Sequence, residues 1–175
     1  VGSLIRVNDT LKMWYSASSD NFGLNSSIGY AWSLDNITWN LKGEPVLENG
    51  ESGSWDESGV FKPVVFFDGE TYHMWYGGWD GSNVRIGYAT SSDKVTWTKY
   101  AGNPVVNLGT AGSWDDVAVV DPCVYYDGAD FHMWYVGLNG TNSRIGYASS
   151  ADGISWAKHE VPVLSGDFNK FDQRN

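Results

Sequence analysis

Three stretches of the chain repeat one another at a spacing of about 59 residues. Residues 131–156 read FHMWYVGLNGTNSRIGYASSADGISW, residues 72–97 read YHMWYGGWDGSNVRIGYATSSDKVTW, and residues 11–39 hold a looser copy. The same spacing separates the equivalent residues Gly29, Gly87 and Gly146. A fixed period of this length is typical of solenoids, propellers and arrays of small domains.

Each unit is predicted to fold as four short β-strands. In the second unit we expect them at residues 63–67, 71–78, 84–92 and about 96–99. Asp-Gly and Asn-Gly pairs separate them, and such pairs favour hairpin turns because both turn residues need positive φ. Segments such as HMWYVG are apolar on both faces, which indicates a sheet that is covered on both sides. Four-stranded sheets packed around one axis form a β-propeller, so the predicted fold class is all-β.

The units are predicted at about 1–53, 54–112 and 113–170 of a single propeller-type domain. Residues 171–175 then begin a further blade, where Phe171-Asp172 stands in the place of Trp55-Asp56. Closed propellers usually have four to eight blades, and an open set of three would expose two apolar sheet faces. Two arrangements remain open. Either the chain forms a homo-oligomer, such as a dimer that completes a six-bladed ring, or two blades of a five-bladed protein are missing from it.

Composition excludes several classes of function. The net charge of −10 offers no basic patch for nucleic acid. No apolar run is long enough to span a membrane. The single Cys123 excludes an internal disulfide, and no cluster fits a known metal loop, so we expect neither a metal nor a cofactor. The compartment stays open. The missing initial Met fits the loss of an upstream segment, which would suit a secreted or periplasmic protein.

The pattern DPCVYYDGADFHMWYVG followed by RIGYASSADGISW resembles the superfamily of five-bladed propeller glycosidases. That superfamily includes arabinanases, β-xylosidases, invertase-like enzymes and mannoside phosphorylases. Its Ser-x-Asp-x-x-x-Trp segment is similar to Ser33…Trp39, Ser91…Trp97 and Ser150…Trp156. We expect the Ser and Asp to lock the turn between the third and fourth strands. The resemblance implies a carbohydrate as partner, bound in a central funnel.

The resemblance places catalytic acids on inner strands, just before the proline. The matching residue is Asp121 in the third unit and Lys62 in the second, and the first unit has no acid there. Because Asp121 departs from its own repeat, it is the first candidate for a catalytic carboxylate, against a structural role in binding backbone amides. Glu57 and Asp116 are the next candidates, since glycoside hydrolysis needs two carboxylates. Lys62 could bind an anion or pair with a neighbouring acid.

Four further residues lie just upstream of the inner strands and are candidates for substrate binding. Trp55 and Trp114 could stack on a sugar, with Asp56 and Asp115 beside them. Because Trp-Asp recurs in each unit, the alternative to substrate binding is a structural role, in which each pair forms a latch between neighbouring blades. Arg85 and Arg144 recur at one position and are predicted to form salt bridges between blades.

Three hypotheses for function follow from these residues. The first is a glycan-active propeller related to glycoside hydrolases. The second is a non-catalytic module, lectin-like or protein-binding, which the missing acids of the first two units favour. The third is a structural repeat fragment without a ligand. Whether the chain is an enzyme is left open by the sequence.

Overall fold

The computed structural model describes residues 2–18 and 25–165, and all regular elements in these ranges are β-strands. Each set of four consecutive strands pairs antiparallel as one blade, and a parallel bridge between Val84 and Ala118 links the second and third blades into one eight-stranded sheet. Blade 1 consists of β1 (Ser3–Val7), β2 (Thr10–Ser18), β3 (Ser26–Ser33) and β4 (Asn40–Leu41). Blade 2 consists of β5 (Gly59–Phe67), β6 (Tyr72–Trp79), β7 (Val84–Ser91) and β8 (Thr98–Lys99). Blade 3 consists of β9 (Ala118–Tyr126), β10 (Phe131–Leu138), β11 (Ser143–Ser150) and β12 (Ala157–Lys158).

The strands of each blade pair in chain order, so the prediction of four-stranded propeller blades is confirmed. After the short fourth strand the chain returns to the third strand, through the bridges Ile28–Leu47, Ile86–Val106 and Ile145–Leu164. First strands of neighbouring blades lie side by side, as where the Val65 amide donates to Ser3 Oγ at 2.9 Å. None of the described residues forms a helix long and apolar enough to cross a membrane. Phe171-Asp172 lies outside the described residues.

Aromatic residues fill the space between the blades. We call the side of a blade that faces the lower-numbered blade its preceding face, and the other side its following face. The Trp14 ring on the following face of blade 1 is fully buried, and its Nε1 donates to the carbonyl of Lys94 in blade 2 at 3.1 Å. Trp75 repeats this contact between blades 2 and 3, donating to the carbonyl of Gly153 at 2.7 Å. The repeated tryptophan therefore joins each blade to the next.

The predicted lock of the turn between third and fourth strands is confirmed. Asp93 Oδ1 accepts the Ser91 hydroxyl at 3.0 Å and the backbone amides of Val95 and Thr96 at 2.9 and 2.6 Å. Asp35 and Asp152 make equivalent bonds in the other two blades. These bonds hold the pKa of all three carboxyls well below its usual range, backbone hydrogen bonds being the largest cause.

Two predictions about local structure were wrong. The first strand of unit two begins at Gly59, not Pro63, because a β-bulge carries the strand through Lys62-Pro63. Arg85 pairs with Asp80 of its own blade at 2.9 Å, so it makes no salt bridge between blades. In blade 3 Asn139 occupies the place of Asp80, and Arg144 has no ion pair with any residue of the described ranges. The arginines therefore brace a hairpin within one blade, and only where an acid is present.

We predict that the fold loses stability in acid below about pH 4. Backbone hydrogen bonds from Thr71 and Asp130, supported by His73 and His132, lower the pKa of Asp68 and Asp127 to about 2. A depressed native pKa contributes stability that is complete above the ordinary carboxyl pKa near 3.9 and is lost as the pH falls through about 2. Urea unfolding at pH 7, 4 and 2.5 should show little change over the first interval and a clear fall over the second.

The variant Asp93→Asn isolates one of the turns in that experiment. It should unfold a few degrees below the wild-type chain at pH 7, and the difference should narrow at pH 2.5, because the Asp93 carboxyl is then protonated in the unfolded wild-type chain and keeping it ionised in the fold stabilises less. An equal difference at both pH values would contradict the assignment.

Candidate functional site

Lys62 and Asp121 occupy the same position on the inner strands of blades 2 and 3, and both have an unusual backbone. Their φ angles are 52° and 53°, in the left-handed region that non-glycine residues rarely adopt. Each precedes a proline, and at each site the register shifts against the neighbouring strand, between Phe61 and Val64 in β5 and opposite Tyr135 in β9. A bulge of this kind re-aims a side chain, and the strain costs about 1 kcal/mol or more per residue.

The two bulges bring their side chains together across the gap between the blades. Lys62 Nζ lies 3.6 Å from Asp121 Oδ1, and the two side chains are 54% and 44% exposed. The Lys62 amide donates to Ser16 Oγ of blade 1 at 2.8 Å, so three blades contribute to this arrangement. Asp121 accepts no hydrogen bond from a backbone amide within the described residues. The result is an accessible ion pair on the inner strands.

The Trp-Asp pairs lie elsewhere, against the face of their own blade. The Trp55 ring covers Gly78, where an added Cβ would lie 2.3 Å from the ring, and Trp114 covers Gly137 in the same way. Asp56 is 2% exposed and takes the Lys99 ammonium at 2.6 Å, with Tyr76 and Ser54 as further donors. Burial, and then the nearby carboxylate, raises the pKa of Tyr76 far above its usual value, so its hydroxyl stays a donor.

Asp115 repeats the arrangement, with Lys158 Nζ at 2.5 Å and the Tyr135 hydroxyl at 3.1 Å. The ion pair of each aspartate therefore closes within one blade. Because the two carboxylates are enclosed and fully engaged, we leave Asp56 and Asp115 out of the site that we propose. Trp114 is 9% exposed and Trp55 is partly buried, and both rings belong to the packing between blades.

Glu57 and Asp116 each close a tight loop before the inner strand. Glu57 Oε2 accepts the amide of Gly53 at 2.6 Å, and Asp116 Oδ2 accepts the amide of Gly112 at 2.7 Å. The other Asp116 oxygen is shielded from solvent and has no hydrogen-bond partner among the described residues. The structure does not bring either carboxylate into contact with Lys62 or Asp121. Their catalytic role stays a prediction.

Two other features of residues 2–18 and 25–165 bear on where a site could lie. No group of three or more His, Cys, Asp or Glu residues in these ranges is arranged to hold a metal ion. A surface depression is lined by residues 44–51, Trp97 and Lys99, and it includes none of the candidate catalytic residues. The inner-strand ion pair is therefore the feature that the candidate site is built on.

Comparison with known protein families gives a match over the first two units of the chain. Residues 2–111 match glycoside hydrolase family 130, described as beta-1,4-mannooligosaccharide phosphorylase. The chain belongs to this family. The predicted resemblance to propeller glycosidases is thereby confirmed, and family 130 relates the chain to carbohydrate-active enzymes.

Individual relatives cover more of the chain. An uncharacterized protein of Mycobacterium tuberculosis is 33% identical over 175 residues, covering 89% of this chain and 53% of that protein. The beta-1,2-mannobiose phosphorylase of a Thermoanaerobacter species is 30% identical, covering 69% of this chain and 45% of that protein. A family 117 glycoside hydrolase of Zobellia galactanivorans shares the fold, with a TM-score of 0.82 at 21% identity over 94% of this chain and 56% of that one. The chain spans about half the length of these two curated relatives.

Sequence reasoning missed the lysines that hold the buried aspartates, although a signal was present. Lys99 and Lys158 recur at the repeat spacing two residues after Trp97 and Trp156. Each lysine lies 43 residues after the Asp of the Trp-Asp pair in its own unit, and this shared spacing could have identified the two ion pairs.

We predict that Lys99→Met destabilises the chain by about 3 kcal/mol, because it leaves the buried Asp56 carboxylate without its counter-ion. The double variant Asp56→Asn/Lys99→Met should recover part of the loss. The measurement is urea unfolding at pH 7, with Lys42→Met at an exposed position as the control. If Lys99→Met and the control unfold within about 0.5 kcal/mol of each other, the buried pair is not what holds the latch.

Proposed function

We propose that the inner-strand pair Asp121 and Lys62 forms part of a site that cleaves a β-mannosidic bond with inorganic phosphate as the acceptor. The observation that carries the proposal is the pair of bulges. Two inner strands keep a strained left-handed residue at the same position, and both strained side chains point at one another in an accessible gap. Strain of this kind is retained at functional sites, where it aims a side chain.

The chemistry of phosphorolysis fits the groups that are available. Hydrolysis needs two protein carboxylates, one as acid and one as base or nucleophile. In phosphorolysis a phosphate oxygen is the nucleophile, so one protein carboxyl is enough, acting as a general acid. Asp121 is the one carboxylate that the described inner strands aim into the gap, since Lys62 holds the equivalent place in blade 2.

Each group has a defined part in the proposed reaction. A phosphate oxygen forms a bond to the anomeric carbon as the bond from that carbon to the glycosidic oxygen breaks. The protonated Asp121 carboxyl gives its proton to the departing oxygen, which leaves as a sugar hydroxyl, and the other product is a glycosyl phosphate. The Lys62 ammonium binds an oxygen of the incoming phosphate, as an ammonium group does at other phosphate sites. When the phosphate is absent, Lys62 pairs with Asp121.

The proposed substrate class comes from the family. Its description is beta-1,4-mannooligosaccharide phosphorylase, and the Thermoanaerobacter relative is a beta-1,2-mannobiose phosphorylase. The common element of these names is a β-linked mannose with phosphate as the co-substrate, so we propose short β-mannosides for this chain. The linkage position differs between the two names, and the proposal does not choose between 1,2 and 1,4.

Binding of carbohydrate without turnover is the second candidate. It is favoured by the absence of an acid at the inner position of the first two units. In that case the Lys62–Asp121 pair serves only to bind sugar hydroxyls. The two candidates differ in whether a glycosyl phosphate is formed.

We predict that Asp121→Asn lowers the rate of phosphate-dependent cleavage of β-mannobiose by about 100-fold or more, because the amide cannot donate the required proton. Formation of mannose 1-phosphate is measured with and without inorganic phosphate, and binding of mannobiose is followed by titration calorimetry. Asp130→Asn, at an exposed hairpin position, is the matched control and should keep the wild-type rate.

The outcomes separate the candidates. Cleavage that needs phosphate and is lost in Asp121→Asn supports the phosphorylase. Binding without any product in the wild-type chain supports the second candidate. Cleavage that survives in Asp121→Asn at the level of the control overturns the role proposed for Asp121.

A further inference from the structure

The bulge at Lys62 is held by a side chain of the neighbouring blade, whereas the equivalent bulge at Asp121 is not. Ser16 lies on β2 of blade 1, and its Oγ accepts the Lys62 amide at 2.8 Å. The strand register places Gly77 at the equivalent position of blade 2. Since glycine has no side chain to accept a hydrogen bond, blade 2 cannot hold Asp121 in the way that blade 1 holds Lys62.

The Pro63 ring gives the same bulge a second contact with blade 1. An added Cβ at Gly2 would lie 2.7 Å from Pro63 Cγ, so the lack of a side chain at Gly2 lets the ring pack against this part of the backbone. A hydrogen bond at Lys62 and a packing contact at Pro63 therefore fix two consecutive residues of the bulge against blade 1.

The hydrogen bond to Ser16 is strong enough to decide which backbone conformation Lys62 adopts. Lys62 has a φ of 52°, which a residue with a side chain rarely adopts. The penalty for such a conformation is comparable with the stabilisation from one hydrogen bond, which corresponds to a factor of about 5 in an equilibrium constant. Without the Ser16 hydroxyl a less strained φ becomes competitive, and the direction of the Lys62 side chain changes with it.

We propose that Ser16 is a positioning residue, which keeps the Lys62 ammonium where it binds the incoming phosphate. Ser16 acts through the Lys62 backbone and takes no part in bond making. The inference rests on the proposed function, because that function makes Lys62 the phosphate ligand. Asp121 is left without a hydrogen bond of this kind, which suits a carboxyl that pairs with Lys62 in one state and donates to the glycosidic oxygen in another.

Two readouts test this role, with inorganic phosphate as the probe. The first is the dissociation constant for phosphate, measured by titration calorimetry at pH 7. The second is the carbon-13 chemical shift of the Asp121 carboxyl, for which Lys62→Met gives the value without the ion pair. Ser16→Ala should weaken phosphate binding about 5-fold and move the Asp121 resonance towards its position in Lys62→Met. Ser16→Thr keeps a hydroxyl, so both readouts should stay at their wild-type values.

Ser3→Ala is the matched control. Ser3 Oγ accepts the Val65 amide at 2.9 Å, so this bond also joins a serine of blade 1 to an inner-strand amide of blade 2. Val65 lies outside the bulge and has no part in the proposed reaction. Because the Ser3 hydroxyl is buried, Ser3→Ala should lower stability to urea at least as much as Ser16→Ala, and it should leave both readouts unchanged.

The outcomes separate the positioning role from the proposed function. If Ser16→Ala leaves phosphate affinity at the wild-type value, the role of Ser16 is wrong. Equal changes in Ser16→Ala and Ser3→Ala also overturn it, since they assign the effect to the packing of the blades. If Lys62→Met binds phosphate as tightly as the wild-type chain, or the wild-type chain binds none at about 10 mM, the proposed function fails at Lys62. The Asp121 resonance in Ser16→Ala then decides alone whether Ser16 positions the Lys62 side chain.

Discussion

The structure depends on one constraint, which is that a sheet with aromatic side chains on both faces must be covered on both faces. The repeat meets this constraint with a tryptophan on the second strand whose ring is buried by the next blade and whose Nε1 reaches a carbonyl there. That carbonyl belongs to a left-handed turn residue, and the preceding Ser-x-Asp segment holds the turn in shape. The turn held by the Ser-x-Asp segment therefore also stabilises the packing of the blades, because it supplies the carbonyl that accepts the hydrogen bond of the neighbouring indole.

Packing of this kind places the first strands side by side, and this is what creates a candidate site. An inner strand is enclosed by its neighbours, so a side chain reaches the gap only if the backbone turns it there. The bulges at Lys62 and Asp121 do this, at a cost in backbone strain that the surrounding sheet tolerates. The Trp-Asp pairs are common to both blades and stabilise them, whereas the inner position differs between blades and carries the candidate chemistry.

Much of the fold could be predicted because the three copies of the repeat can be aligned with one another, and the alignment marks where each unit begins and ends. The three copies of the Met-Trp-Tyr and Ile-Gly-Tyr-Ala segments specified the order of strands, and the Asp-Gly turns specified their ends. The start of β5 could not be predicted, since a proline after Lys62 is typical of a strand end and the bulge that accommodates it depends on β6. Asp56 and Asp115 were predicted to bind substrate or to form a latch, and their lysine partners were not predicted because each lies 43 residues further along the chain. Asp121 could be found because it breaks its repeat.

Hydrogen exchange of the indole Nε1 protons, followed by NMR, tests the packing account most directly. If the tryptophan contacts join the blades, the protons of Trp14 and Trp75 exchange only when the chain unfolds, with protection close to the global free energy of unfolding. Exchange of these two protons as fast as that of a solvent-exposed indole would contradict the account, since the blades would then not be held by the contacts described.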